Sequence, residues 1–288
     1  MERESILCRA CRSKRTESLF VINNQKVRRC GDCTHVFLDV VHTGKTIKTL
    51  YEDYGSAVRD FYFDGAATDE VRINMDSYLR RCREYFGNAT KNLRLLDIGS
   101  GSGALIGRAQ KQGFVCEGIE ICEALAELSR QTLGCPIHCG FIGELDLPPG
   151  RFDVITMYDL IEHVQDPMEE VLHAHRLLAR GGILFILTPN NAALMRRIAR
   201  LAYECTLHTF QKPMRALYYG HHLSYFTAQS LSGVVLKAGL RVLALETRNQ
   251  EMSRLTLSSL EKLGVRLVFG LTDRFPSTRG KLVLWAQK

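Results

Sequence analysis

Asp97-Ile98-Gly99-Ser100-Gly101-Ser102-Gly103 sets a carboxylate two residues ahead of three alternating glycines. Such glycines admit positive φ and let a ligand lie close against the backbone. A helix entered directly behind them aims free N–H groups into the turn. The bland alternative is a turn that only reverses the chain. A carboxylate aimed into the turn repels phosphate and favours a cationic group, because like charges repel. The spacing is G-x-G-x-G rather than the G-x-G-x-x-G of dinucleotide sites, which argues against a nicotinamide dehydrogenase.

Cys8-x-x-Cys11 and Cys30-x-x-Cys33, with 18 residues between the pairs, form the second chemically specific pattern. Each pair makes a tight turn whose two thiolates take two corners of a tetrahedron, so Cys8, Cys11, Cys30 and Cys33 suit a structural zinc ion. A redox dithiol or unliganded thiols are the alternatives. Residues 19–22 and 25–28 flank Asn23-Asn24, a hairpin that returns the second pair to the first. About 40 residues cannot sustain a core unaided, so a metal staple makes physical sense. Cys82, Cys116, Cys122, Cys135, Cys139 and Cys205 lack this spacing and read as small buried apolar residues.

Alternating strands and helices must position the glycine turn. Residues 93–98 read as a buried strand and 104–111 as a helix. A second strand at 115–120 carries Glu120 at its carboxyl end, roughly 20 residues past the glycines, suited to both ribose hydroxyls of a nucleoside. Further strands fall near 137–139, 151–157, 183–187, 240–247 and 281–286, about seven in all. A helix over 168–178 is expected to stop at Gly181-Gly182, and another lies near 252–263. Ahead of the sheet, Val71, Met75, Tyr78, Leu79, Cys82 and Phe86 form one helical stripe over 69–86. The aromatic run Phe61-Tyr62-Phe63 either lines an acceptor pocket or packs between ribbon and core. Together these imply an α/β doubly wound sheet with its ligand at the strands' carboxyl ends.

The acidic-headed glycine motif resembles the first motif of class I S-adenosylmethionine (SAM) methyltransferases, whose acidic residue helps hold the cationic methionine end. Glu162-His163-Val164-Gln165-Asp166-Pro167 after the fourth strand, and His222-Leu223-x-x-Phe226-Thr227 later, resemble small-molecule enzymes of the ubiquinone O-methyltransferase type. The resemblance spans 69–288 and implies a Rossmann-like seven-stranded methyltransferase sheet. It implies cofactor contacts from Asp97, Gly99, Gly101, Gly103, Glu120, Phe141, Ile142, Tyr158 and Asp159. It also sets Glu162, His163 and His222 on the acceptor side. If the acceptor is a hydroxyl, a neutral His163 or His222 is the natural base, with Glu162 orienting the pocket. The bland reading is that both histidines bond loop backbone. The pair His221-His222 also suggests a metal site, but no third ligand stands at a useful spacing. A ribbon, a Tyr-rich stretch and this core also resemble bacterial methyltransferases of sugar and natural-product pathways.

The expected organisation is a zinc ribbon at 1–45, a helical cofactor-covering segment at 46–90, and a methyltransferase core at 91–288 with an inserted lid at 192–226. The basic amphipathic helix near 192–201 reads as a lid, as a contact for a membrane surface or anionic substrate, or as a solvated insertion. Composition is that of a soluble globular chain: 288 residues, 45% hydrophobic, 24% charged, net charge +7. No apolar run reaches the ~18 residues of a membrane span, and a charged, signal-free N-terminus reads as cytosolic. A zinc ribbon with basic charge also fits a ribosomal or transfer RNA methyltransferase. Tyr158-Asp159-Leu160-Ile161 stands where base-amino methylation often uses N/D-P-P-Y/F, which disfavours it. A non-catalytic SAM-binding or zinc scaffold is the remaining rival.

Overall fold

The structure, a computed structural model, describes residues 7–41, 68–87, 92–218, 222–252 and 259–288. The aromatic run at 61–63 and His221 lie outside these residues. The chain forms β1 (Thr16–Ile22), β2 (Gln25–Cys30), β3 (Val36–Leu38), α1 (Asp69–Glu84), β4 (Arg94–Ile98), α2 (Ala104–Lys111), β5 (Val115–Glu120), α3 (Glu123–Leu133) and β6 (Ile137–Cys139). Then follow β7 (Phe152–Tyr158), α4 (Pro167–Leu177), β8 (Leu178–Pro189), α5 (Leu194–Cys205), α6 (Lys212–Leu217), β9 (Ser224–Tyr225), α7 (Ala228–Lys237), β10 (Arg241–Arg248), α8 (Ser259–Arg274) and β11 (Lys281–Gln287).

Seven strands make one sheet in the order β10-β11-β8-β7-β4-β5-β6. The β5–β6, β4–β5, β4–β7 and β7–β8 pairs are parallel, and β11 runs antiparallel to both β8 and β10. Chain order reverses between β4 and β7, and a crevice at such a reversal, outside the strands' carboxyl ends, is where open α/β sheets bind ligands. Asp97, Glu120 and Tyr158 all end up there.

Both faces of this sheet are covered. Val71, Met75, Tyr78, Leu79 and Cys82 of α1 are buried as one stripe, and Tyr78 stacks near Phe185 and Trp285 at ring distances of 5.2 and 6.1 Å. A fully buried side chain of this size contributes about 1.5–3 kcal/mol. On the other face α4 and α7 bury Val171, Ala174, Leu177, Leu231 and Val234 in one cluster with β7 and β8.

A second sheet, β1-β2-β3-β9, carries the cysteines. Asn23 and Asn24 take φ of 50° and 59° between Ile22 and Gln25, the left-handed pair that a tight hairpin requires. Its fourth strand is β9, from far down the chain, so the ribbon is built into the region beyond β8. Ile22, Val27, Val36 and Leu38 share a core with Ala199, Tyr203, Met214, Tyr218, Leu223 and Tyr225.

Several expectations are corrected. The glycine stop does not end α4, because β8 begins directly at Leu178 after Leu177. Gly181 and Gly182 instead exchange backbone hydrogen bonds with Lys288, and a Cβ on Gly182 would sit 2.8 Å from the Ala179 carbonyl oxygen. The helix expected near 252–263 is α8, running to Arg274. Gly264 and Gly270 lie inside it with open space around them, a modest propensity cost rather than a break. In the inserted helix α5 one basic side chain turns inward. Arg196 is buried over the rings of Tyr218 and Tyr225 and donates to the Leu217 carbonyl, while Met195, Ile198 and Leu201 are exposed. Cys205 is exposed and Cys135 and Cys139 half-buried, so the uniformly buried expectation holds only for Cys82, Cys116 and Cys122. Among the described residues no helix is long and apolar enough to cross a membrane.

Candidate active site and the cysteine cluster

Gly99, Gly101 and Gly103 all take positive φ, at 72°, 53° and 77°. The amides of Gly99 and Ser100 donate to the Ile119 carbonyl at 2.8 and 2.9 Å, which fixes the turn against β5. The three glycines do different work. A Cβ at Gly103 would fall 2.2 Å from Leu133 Cδ1 and one at Gly99 would fall 2.7 Å from Leu160 Cδ1, whereas one at Gly101 would meet nothing within 4 Å. Gly99 and Gly103 are therefore glycines for packing, and Gly101 borders open space where a ligand can reach the backbone.

Asp97 is buried at the end of β4 and accepts from Thr156 Oγ1 at 2.6 Å. Burial, and secondarily the Glu120 carboxylate, push its carboxyl up to about 7. A buried carboxyl in that state gains from a cationic ligand, as an ammonium group would supply. Glu120 is also buried and raised by desolvation. One of its oxygens accepts from the Gly101 amide at 2.7 Å and the other from the Cys122 amide at 2.9 Å. Each oxygen keeps a second acceptor direction for a ribose hydroxyl. The glycine cradle, the buried carboxyl and the second-strand acid thus fit SAM.

Phe141 is half-buried, whereas the Ile142 side chain is buried in the core with Leu147, Phe152 and Met168. Tyr158 ends β7, half-buried. Asp159 takes φ of 52° and its carboxylate accepts from Lys281 Nζ at 2.5 Å. Lys281 and Thr188 were not singled out from the sequence. Each stands at the end of an apolar strand that carries no motif, and only the β8–β11 pairing brings them to this place.

Glu162 is buried and accepts from Thr188 Oγ1 at 2.8 Å. Burial, then the Asp159 carboxylate, push it up to about 8 against the opposing pull of Lys281. Burial thus favours its protonated form. Its backbone carbonyl accepts from the amides of Leu223 and Ser224 at 2.8 and 3.0 Å, which seats His222 beside His163. The two imidazoles stand edge to face with centroids 4.6 Å apart. Candidate ligand atoms of Glu162, His163 and His222 all lie within 4.8 Å of one another. This set is not the His221-His222 pair raised from the sequence: Glu162 and His163 come from the segment after β7. The packing of Leu160 against Gly99 joins this cluster to the cofactor turn.

The four cysteines of the N-terminal module converge. Cys8 and Cys33 sulfurs are 3.5 Å apart, as are those of Cys11 and Cys30, and all four lie within 4.8 Å. Four thiolates around zinc at ~2.3 Å stand roughly 3.8 Å apart, so the set fits that ion. The two C-x-x-C turns repeat one geometry. Arg12 N donates to the Cys8 carbonyl and Thr34 N to the Cys30 carbonyl, and Arg12 and Thr34 both take left-handed φ, near 65° and 60°.

A parallel sheet reversed at β4 and β7, closed by an antiparallel strand and headed by an acidic glycine turn, defines a SAM-binding α/β transferase core. The chain belongs to the methyltransferase-domain family, whose model matches residues 71–245. Over 105 residues it is 33% identical to a ubiquinone biosynthesis O-methyltransferase of Coxiella burnetii, covering 35% of this chain and 45% of that one. Over 103 residues it is 34% identical to the enzyme of the same name from Pseudomonas aeruginosa, covering 34% and 44%. The chain thus spans under half the length of these relatives. The crystal structure of the [4+2]-cyclase SpnF shares the fold at TM-score 0.61 and 16% identity, covering 86% of this chain and 97% of that one. A SAM-dependent methyltransferase from Archaeoglobus fulgidus does so at TM-score 0.51 and 18% identity, covering 75% and 94%.

Proposed function

We propose that this protein transfers the methyl group of SAM to a small-molecule acceptor, a hydroxyl or amine of a sugar, quinone-like or natural-product intermediate, and that its four cysteines hold a structural zinc ion. The observation that carries the reading is the junction of two sites. Asp97, Gly101 and Glu120 form a cradle suited to a cationic nucleoside, and Leu160 links that cradle to Glu162, His163 and His222. SAM supplies an electrophilic sulfonium methyl, so the chain's own task is alignment, exclusion of water and control of one proton.

Asp97 neutralises the ammonium of the cofactor and Glu120 accepts from its ribose. His163 or His222 takes the proton of an acceptor hydroxyl. Glu162, which burial pushes toward its protonated form, is not that base; it holds the His222 segment through its backbone carbonyl. Cys8, Cys11, Cys30 and Cys33 leave no open coordination position for a metal-bound water, so a zinc ion held there supplies folding energy.

Incubation of the zinc-loaded chain with methyl-labelled SAM, separately with a mixed small-metabolite extract and with total RNA, tests the proposal. Label in the small-metabolite fraction is expected. Label confined to RNA, or none anywhere while SAM binds, would overturn it.

A further inference from the structure

The ribbon touches the acceptor end of the sheet through side chains that a self-contained metal module would not need. Arg9, next to a cysteine, is 7% exposed, and its guanidinium donates to three carbonyls: Leu38 at 3.3 Å, Val40, and Gln165. The first two belong to the ribbon's own last strand and its continuation. The third is two residues past His163. Arg12, one residue beyond Cys11, pairs with Asp166, whose carboxylate caps α4 by accepting from the amides of Met168 and Glu169 at 3.1 Å. The segment that carries Glu162 and His163 is thus tied to the first cysteine turn on one side and to α4 on the other.

His222 is held from the second cysteine turn. His35, two residues beyond Cys33, is fully buried against Phe226, with ring centroids 4.7 Å apart, and its Nε2 lies 3.3 Å from Ser224 Oγ. β3 pairs with β9 through Val36 and Tyr225 and through Phe37 and Ser224, and Leu38 N donates to the Leu223 carbonyl at 3.0 Å. The amides of Leu223 and Ser224 then donate to the Glu162 carbonyl. The circuit closes: cysteine turns, Arg9 and His35, the two segments, and the imidazole pair. Neither Arg9 nor His35 bonds to the glycine turn. A buried arginine whose two terminal nitrogens donate to backbone of two separate segments ties those segments together, because desolvating the guanidinium is offset only while both contacts hold.

We propose that Arg9 and His35 are positioning residues of the acceptor site: through them the four-cysteine ribbon forms its back wall and sets the distance between His163 and His222, leaving the cofactor turn untouched. The inference rests on the assignment of those histidines to the acceptor side, but its test uses no methyl transfer, so the two fail separately.

The test compares the intact zinc-loaded chain with Arg9→Met, Arg9→Lys and His35→Gln. S-adenosylhomocysteine affinity by calorimetry reports the cofactor turn. Amide exchange at Leu223 and Ser224 and the NMR titration of the His163 and His222 rings report the acceptor end. In Arg9→Met those amides are expected to exchange about tenfold faster, the loss of one strong hydrogen bond. Both ring titrations shift, while S-adenosylhomocysteine affinity stays within twofold. Arg9→Lys, which keeps a charged donor, recovers part of the change, and His35→Gln shifts the His222 ring more than that of His163. Unchanged exchange and titrations in Arg9→Met and His35→Gln overturn the proposal, as does an equal loss of cofactor affinity. If Arg9→Met does not fold, His35→Gln and chelator treatment of the wild-type chain are judged by the same criteria.

Discussion

At the scale of single residues, the proposed cofactor contact turns on the buried carboxyl of Asp97. Held up to about 7 by burial, it is half protonated at neutral pH in the ligand-free chain. Its folded value lies above the ordinary carboxylate range near 4, so the stability it contributes is present below that range and lost as pH rises through about 7. A cationic ligand prefers the carboxylate, and binding below pH 7 must first remove a proton. SAM affinity is therefore expected to weaken about tenfold per pH unit below about 7, one pKa unit being ~1.36 kcal/mol. Calorimetry between pH 5.0 and 6.8, below the range near 7.7–8.0 where an α-amine loses its proton, checks this. Asp97→Asn should flatten that dependence and bind about ten- to a hundredfold more weakly, the loss of one charged hydrogen bond. A flat wild-type profile would remove Asp97 from the ammonium contact. Asp97, the glycines and Glu120 were legible from sequence because strand ends and turn glycines recur at fixed local spacing. Lys281 and Thr188 were not, since their role comes only from the neighbouring strands' register.

At the scale of elements, the glycine turn separates a packing role from a binding role. Gly103→Ala drives a Cβ into Leu133 in a left-handed conformation, adding about 1–3 kcal/mol of overpacking to the strain of positive φ. Gly101→Ala meets open space and carries only the conformational cost of about 1–2 kcal/mol. Denaturant unfolding should thus rank Gly103→Ala as the less stable, while S-adenosylhomocysteine binding should be lost in Gly101→Ala even where it is folded. Equal stability with retained binding in both would refute the division. Most core elements were legible from hydrophobic periodicity, and α2, β5 and β6 match to the residue. The misses share a cause. Glycines 181, 182, 264 and 270 look like breakers in a linear reading, yet the first two serve close contact with the chain's last residue and the others sit unstrained in α8.

At the scale of the whole molecule, two sheets meet around the imidazole pair of His163 and His222. The seven-stranded sheet brings the cofactor cradle, and the ribbon sheet, completed by β9, brings His222 to His163. Nothing in the spacing of Cys8, Cys11, Cys30 and Cys33 discloses that β3 pairs with a strand almost 190 residues later; long-range pairing leaves no local pattern. That convergence is why the metal-ligand geometry of Glu162, His163 and His222 was invisible along the chain. The central claim is that this junction performs methyl transfer, and its most direct test is the rate of labelled-methyl incorporation into small metabolites by wild type and by the His163→Ala, His222→Ala double variant. The double variant is expected to lose about 10²–10⁴-fold in rate for an acceptor hydroxyl with cofactor binding intact. An unchanged rate with SAM bound would contradict it.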